Sequence, residues 1–141
     1  MKKLLIALLI LISAALVFSG CKAAEPELND ISWEWESLEL NDGSTVTVDD
    51  PTKYTLVLRE DGTFYGMADC NSVQGAYTME DSSITIEPGP TTLAFCGEDS
   101  LDTMYLERLE TVVTYVLSEG KLYLNLMYDS GNMVFRNGGK I

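Results

Sequence analysis

The sequence predicts a mainly β fold: a small antiparallel β-barrel or strongly curled sheet of about eight strands, with one α-helix. Short segments alternate apolar and polar residues, the period of two that marks a half-buried strand. Glycine, asparagine and aspartate turns separate these segments at short intervals. One stretch repeats its apolar residues at helical spacing instead.

The chain opens differently. Lys2 and Lys3 precede an uncharged run from Leu4 to Gly20, the charged and apolar regions of a secretory signal. The run is slightly short for a spanning helix, which wants roughly twenty apolar residues. It ends in Phe18-Ser19-Gly20-Cys21, which resembles a bacterial lipobox, where small residues precede a lipidated cysteine. The expectation is a lipoprotein signal peptide over residues 1–20 and a lipid on Cys21. An ordinary signal peptide, or a signal anchor with an incidental cysteine, is the alternative. A diacylglyceryl group with an added acyl chain supplies the two or more lipid signals that stable anchoring takes. Residues 21–30 are polar, contain Pro26 and lack an apolar period, so they read as a lipidated tether. The location this implies is exported and lipid-anchored to the cell membrane or outer membrane, with the domain facing the periplasm or the cell exterior.

One domain follows, over residues 31–138, large enough to bury a core. Residues 31–35 alternate around Trp33 and Trp35, and Asn41-Asp42-Gly43 turns the chain into residues 44–48. Residues 53–58 place Tyr54, Leu56 and Leu58 on one face and Val57 on the other. Asp61-Gly62 marks a hairpin into residues 63–68. Residues 71–78 and 83–87 follow, the latter with Ile84 and Ile86 inward. Pro88-Gly89-Pro90 is expected to break the chain before an extended stretch over 92–96. In residues 99–110, Leu101, Tyr105 and Leu109 recur at helical spacing, flanked by Met104 and Leu106. Asp99 or Ser100 is placed to cap this helix and Asp102 suits its dipole. The helix is expected to plug one end or cover one face. Residues 112–117 and 121–127 form a hairpin around Ser118-Glu119-Gly120, and 131–136 close the domain with Met133 and Phe135 on one side.

Loss of the leader removes Lys2 and Lys3 from nine basic residues, leaving seven against 22 acidic ones and a net charge of −15. Such a surface repels phosphate backbones, which excludes nucleic acid as a partner. It also disfavours lying flat on anionic lipid. With lipid on Cys21, Cys70 and Cys96 remain as a pair in an oxidising compartment, and a disulfide is the economical reading. Two free buried thiols are the alternative. A metal site is disfavoured, since two thiolates without any histidine are too few soft ligands for zinc.

The absence of histidine also removes the usual base of a serine or cysteine nucleophile. Cys70 and Cys96 do not form a Cys-x-x-Cys redox motif. Acidic pairs such as Asp49-Asp50 and Glu98-Asp99 fall at turns, where solvated carboxylates are expected, and no segment has EF-hand spacing. The reading is a non-enzyme without cofactor or metal. Asn71 is expected to bond neighbouring backbone at a turn, with contact to a ligand or partner as the alternative. Gly66 and Gly75 mark bulges or close backbone approach. Trp33, Trp35, Tyr54, Tyr77, Tyr115 and Phe135 are expected to line the interior.

The segment Gly66-Met67-Ala68-Asp69-Cys70-Asn71-Ser72-Val73-Gln74-Gly75-Ala76-Tyr77-Thr78 resembles the signature of the META domain, or HslJ-like, family. Thr92-Leu93-Ala94-Phe95-Cys96 is similar to its second element, Asp102 to Leu109 to its acidic-then-apolar helix, Leu122-Tyr123-Leu124 to its late strand, and Trp33 to its opening tryptophan. Asp69 stands where the family usually has glycine. Phe95 is also atypical and is expected to fill core. The resemblance implies a small antiparallel barrel-like sheet with one helix. It also implies a cell-envelope setting linked to stress or antibiotic tolerance, without a general enzymatic activity.

Three functions follow as expectations: support of envelope integrity through contacts with another envelope protein, carriage of a small hydrophobic ligand inside the barrel, and inhibition of an exported hydrolase. Replacing Cys21→Ser is expected to release the protein from membranes and remove the lipid mass. A variant that stays membrane-bound with no change in mass would show the anchor assignment to be wrong.

Overall fold

The computed structural model describes residues 28–141; the expected signal peptide, Cys21 and most of the tether lie outside the described residues. The elements run β1 (Ile31–Leu40), β2 (Thr45–Thr47), β3 (Tyr54–Leu58), β4 (Thr63–Ala68), β5 (Asn71–Glu80), β6 (Ser83–Thr91), α1 (Asp102–Leu109), β7 (Val112–Ser118), β8 (Lys121–Leu126) and β9 (Gly131–Lys140). Consecutive strands pair antiparallel from β3 to β9, and β1 pairs both β3 and β9. Eight strands therefore close into a barrel. The short β2 is an addition: it pairs with Ser37–Glu39 of β1, beyond the part of β1 that meets β3.

β1 is twice as long as its sequence alternation indicates. Ile31, Trp33 and Trp35 point inward, but the register against β9 shifts between Trp35 and Ser37. A bulge of one residue exchanges the faces of a strand. Leu38 rather than Ser37 thus enters the core. A bulge also explains why Pro88-Gly89-Pro90 does not end β6. The strand runs on to Thr91, with a register shift against β5 between Val73 and Gly75. On its other side β6 pairs with β7 only at Ser83↔Thr114. Prolines are tolerated at bulges and on unpaired edges because no ladder donor is missed there.

Two glycines make the wall continuous. A Cβ on Gly66 would stand 1.8 Å from the Thr55 carbonyl oxygen of β3. One on Gly75 would stand 2.2 Å from Glu87 O and 2.6 Å from the Phe64 ring. Close approach, rather than any phosphate cradle, accounts for both.

The interior is filled. Trp33, Trp35, Tyr54, Leu56, Phe64, Leu122, Leu124 and Phe135 are buried in one cluster, with Tyr115 half-buried against it. The connection from β6 to β7 carries α1, which sends Tyr105 and Leu109 into the same cluster. The Tyr105 ring lies 5.3 Å from Trp35, 5.7 Å from Tyr54 and 6.3 Å from Phe135, between centroids. Its hydroxyl donates to Thr55 O at 2.9 Å, so the buried phenol is satisfied. Burial pushes its pKa well above the ordinary tyrosine value. The helix starts later than its sequence signals indicate. Leu101 is the N-cap and gives no side-chain cap, while Ser100 Oγ accepts from the Asp102 N–H at 3.3 Å and the Tyr54 hydroxyl accepts from the Leu101 N–H at 2.9 Å.

Tyr105→Ala is expected to cost about 3–5 kcal/mol, the range for emptying a large aromatic site. Gly66→Ala is expected to cost about 1–3 kcal/mol through forced displacement of β3. Urea unfolding of both variants checks this; loss below about 1 kcal/mol for Tyr105→Ala would contradict its role as the plug.

Candidate functional site

Apart from Gly66 and Gly75 in the wall, the described residues singled out from the sequence gather near the two ends of β3. Near Leu58, the chain entering from the tether is tied down. Trp33 Nε1 donates to Leu28 O at 3.0 Å. The Tyr77 hydroxyl lies 2.6 Å from Arg59 O and 3.1 Å from Asn29 Oδ1, and Asn29 bridges to Leu58. Trp33 and Tyr77 thus hold the point where tether becomes domain.

Near Tyr54, the β4–β5 hairpin turns through Asp69 and Cys70. Asp69 has φ of +58°, the left-handed region that favours glycine and that aspartate tolerates better than most residues. This aspartate, where the family pattern expects glycine, thus accommodates the left-handed turn and adds a carboxylate. That carboxylate is largely buried and lies 3.1 Å from Lys53 Nζ and 3.4 Å from the Tyr54 hydroxyl. Burial alone would raise its pKa, but hydrogen bonds from Ser100, Lys53 and Tyr54 outweigh it and hold the group below the ordinary aspartate value. Donating to that carboxylate in turn raises the Lys53 pKa.

Cys70 and Cys96 are joined by a disulfide, with Cα atoms 5.6 Å apart. Beside it, Asn71 is the one buried polar residue among the described residues. It bonds neither to its own turn nor to open space. Its Oδ1 accepts from the Ala94 N–H at 2.8 Å and the Thr92 hydroxyl at 3.0 Å. Its Nδ2 faces Ala94 O at 3.0 Å, Cys96 Sγ at 3.2 Å and Asp102 Oδ2 at 3.2 Å. One amide therefore fixes both backbone groups of Ala94 and reaches the first turn of α1. The amide is fully used, which favours the structural reading of Asn71 over ligand contact.

Asn71 holds the backbone of this segment, but the side chains of residues 92–95 are all exposed. Leu93 is 94% exposed and Phe95 83%. Phe95 does not fill core: Asn71 holds the backbone at Ala94, and the side chains of Leu93, Ala94 and Phe95 all stay in solvent. Across the same barrel end, in the turn between β8 and β9, Tyr128 is 94% exposed with φ of +57°. A depression of about 390 Å³ adjoins the disulfide, lined by Asp49, Asp50, Lys53, Asp69, Glu98 and Asp99 among others. No ion pair involves Asp49, Glu98 or Asp99 among the described residues. The described residues contain no group of three or more acidic or cysteine side chains placed to hold a metal.

A closed eight-stranded barrel with an inserted helix and one disulfide-braced end defines a class of small β-barrel domains. The META domain profile matches residues 26–138, and the chain belongs to the META domain family. Two solved structures share the fold. A protein from Burkholderia xenovorans, determined by NMR, aligns with a TM-score of 0.67 at 20% identity over 86% of this chain and 97% of its own. The crystal structure of a DUF4847 family protein from Bacteroides vulgatus aligns with a TM-score of 0.60 at 13% identity over 81% of this chain and 96% of its own. No curated protein matches the chain.

Asn71→Ala is expected to cost about 1–3 kcal/mol with the disulfide intact, because the Ala94 backbone groups and Asp102 lose their partner. Reducing Cys70–Cys96, which spans 26 residues, is expected to cost roughly 3–4 kcal/mol. Asp69 carries a pH signature. Its folded pKa lies below the unfolded value, so its stabilisation is present above the ordinary aspartate pKa of 3.8 and is lost as pH falls through the folded pKa. Asp69→Asn should therefore melt below the parent protein at pH 7, with the gap closing as pH drops below about 4. Parallel Tm–pH curves for the two proteins would refute it.

Proposed function

We propose that this META domain protein is a non-enzymatic binding protein of the cell envelope, anchored through a lipid on Cys21 and acting through contacts with another envelope protein. The filled interior carries this reading. The space inside the barrel is occupied by Trp33, Trp35, Tyr54, Tyr105, Phe135 and the aliphatic residues around them, all buried in one cluster. An eight-stranded barrel holds a ligand only when side chains leave room for it. Here they do not, which argues against the carrier reading and leaves the outer surface as the working surface. The absence of histidine and the satisfied state of Asn71 support a role without bond-breaking chemistry.

The test is deletion of the protein in its own host, with sensitivity to envelope stress and the proteins co-purifying with the anchored form as readouts. The expected result is raised sensitivity that is restored by the full chain but not by Cys21→Ser. Unchanged sensitivity together with no co-purifying protein would count against the proposal. Native mass spectrometry of the delipidated domain addresses the carrier reading, and the expected spectrum is that of the empty chain.

A further inference from the structure

We infer that the loop Leu93-Ala94-Phe95 is a preformed docking knob, and that its partner is an exported protein with an apolar cleft rimmed by lysine or arginine. This deepens the proposed function and rests on it. Single exposed apolar residues are common on protein surfaces. Leu93 and Phe95 differ because the loop cannot relax to bury them. Ala94 is pinned at both its N–H and its carbonyl by Asn71, and Cys96 is pinned by the disulfide. Both side chains stand in solvent, Leu93 94% and Phe95 83% exposed, on a backbone held at Ala94. The ordering cost of a protruding ligand is thus met by the fold rather than on binding.

The partner's chemistry follows from place and charge. The described chain begins at Leu28, tied beside Leu58, whereas Asn71 and the loop lie at the Tyr54 end of β3. From Cys21 to Leu28 the chain spans about 25 Å at most, so a lipid on Cys21 holds the Leu58 end nearer the bilayer. The loop then lies at the end of the barrel opposite the one where the tether enters. Glu98 and Asp99 follow it directly in the chain, and Asp49 lines the same depression, with no ion pair to any of the three. An acidic collar around an apolar knob is complementary to a basic rim around an apolar cleft, and it repels a second copy of this acidic chain and anionic lipid alike.

The test is photo-crosslinking of the full anchored chain in cells, with Phe95→p-benzoylphenylalanine compared with Thr85→p-benzoylphenylalanine on the exposed barrel wall. The expected result is one protein adduct from position 95, absent from position 85, lost in Leu93→Asp, and reduced roughly tenfold by Glu98→Lys with Asp99→Lys or by raised salt. The identified partner should then show Lys or Arg beside the crosslinked cleft. Protein adducts from position 85 but not 95 would overturn the knob and leave the envelope-partner reading standing. No protein adduct from either position would overturn both. Adducts at position 95 with lipid, with a second copy, or insensitive to the Leu93 and charge changes would also overturn the knob.

Discussion

Closing eight short strands creates an interior that the strands alone do not fill, because the sheet opens where β6 leaves β7 after a single paired position. The connection between those two strands resolves this by carrying α1 across the opening and sending Tyr105 inward. Its ring meets Trp35, Tyr54 and Phe135, and its hydroxyl reaches Thr55 O on the wall. An aromatic plug with its polar tip satisfied gives large apolar burial without an orphaned donor. The helix position, the barrel's filled interior and the geometry of the loop before α1 all depend on that contact.

The second constraint is the single buried amide of Asn71. It links the start of β5 to Thr92, Ala94 and the Asp102 carboxylate, while the disulfide closes the same loop from Cys70. Hydrogen bonds and a covalent link thus act on one short segment from both sides. The helix is held at its first turn by this network and at its centre by Tyr105. The end of the barrel is stiff for that reason, and a stiff end that displays Leu93 and Phe95 is a different object from a mobile loop with two apolar residues.

Polarity along the barrel connects structure to the proposed role. Trp33 and Tyr77 tie the incoming chain at one end of β3; the disulfide, Asn71 and the acidic depression sit at the other. The family's recurrent residues serve this division. Gly66 and Gly75 let the wall close between the two ends. This division of the barrel is what the proposed role as an anchored binding protein would use.

Most strands were legible from alternation because each residue's face is set locally by the pleat. Tyr54, Leu56 and Leu58 went inward as a set, Val57 lies outside that cluster yet is also buried, and the 63–68 strand matched its turn signals. The Cys70–Cys96 pairing followed from counting cysteines once one was assigned to lipid. What local pattern does not encode is the relation between strands. The bulge that admits Leu38, the continuation of β6 through two prolines, and the late start of α1 are settled by register and by neighbours distant in sequence. Phe95 is the sharpest case. Its apolar side chain indicates core, yet an amide 24 residues away holds the backbone beside it at Ala94 and Phe95 stands in solvent. The sequence by itself determined the strands, the helix and the acidic charge, since those depend on side-chain type and short spacing. Only the tertiary structure decided which apolar residues the closed barrel had room to bury.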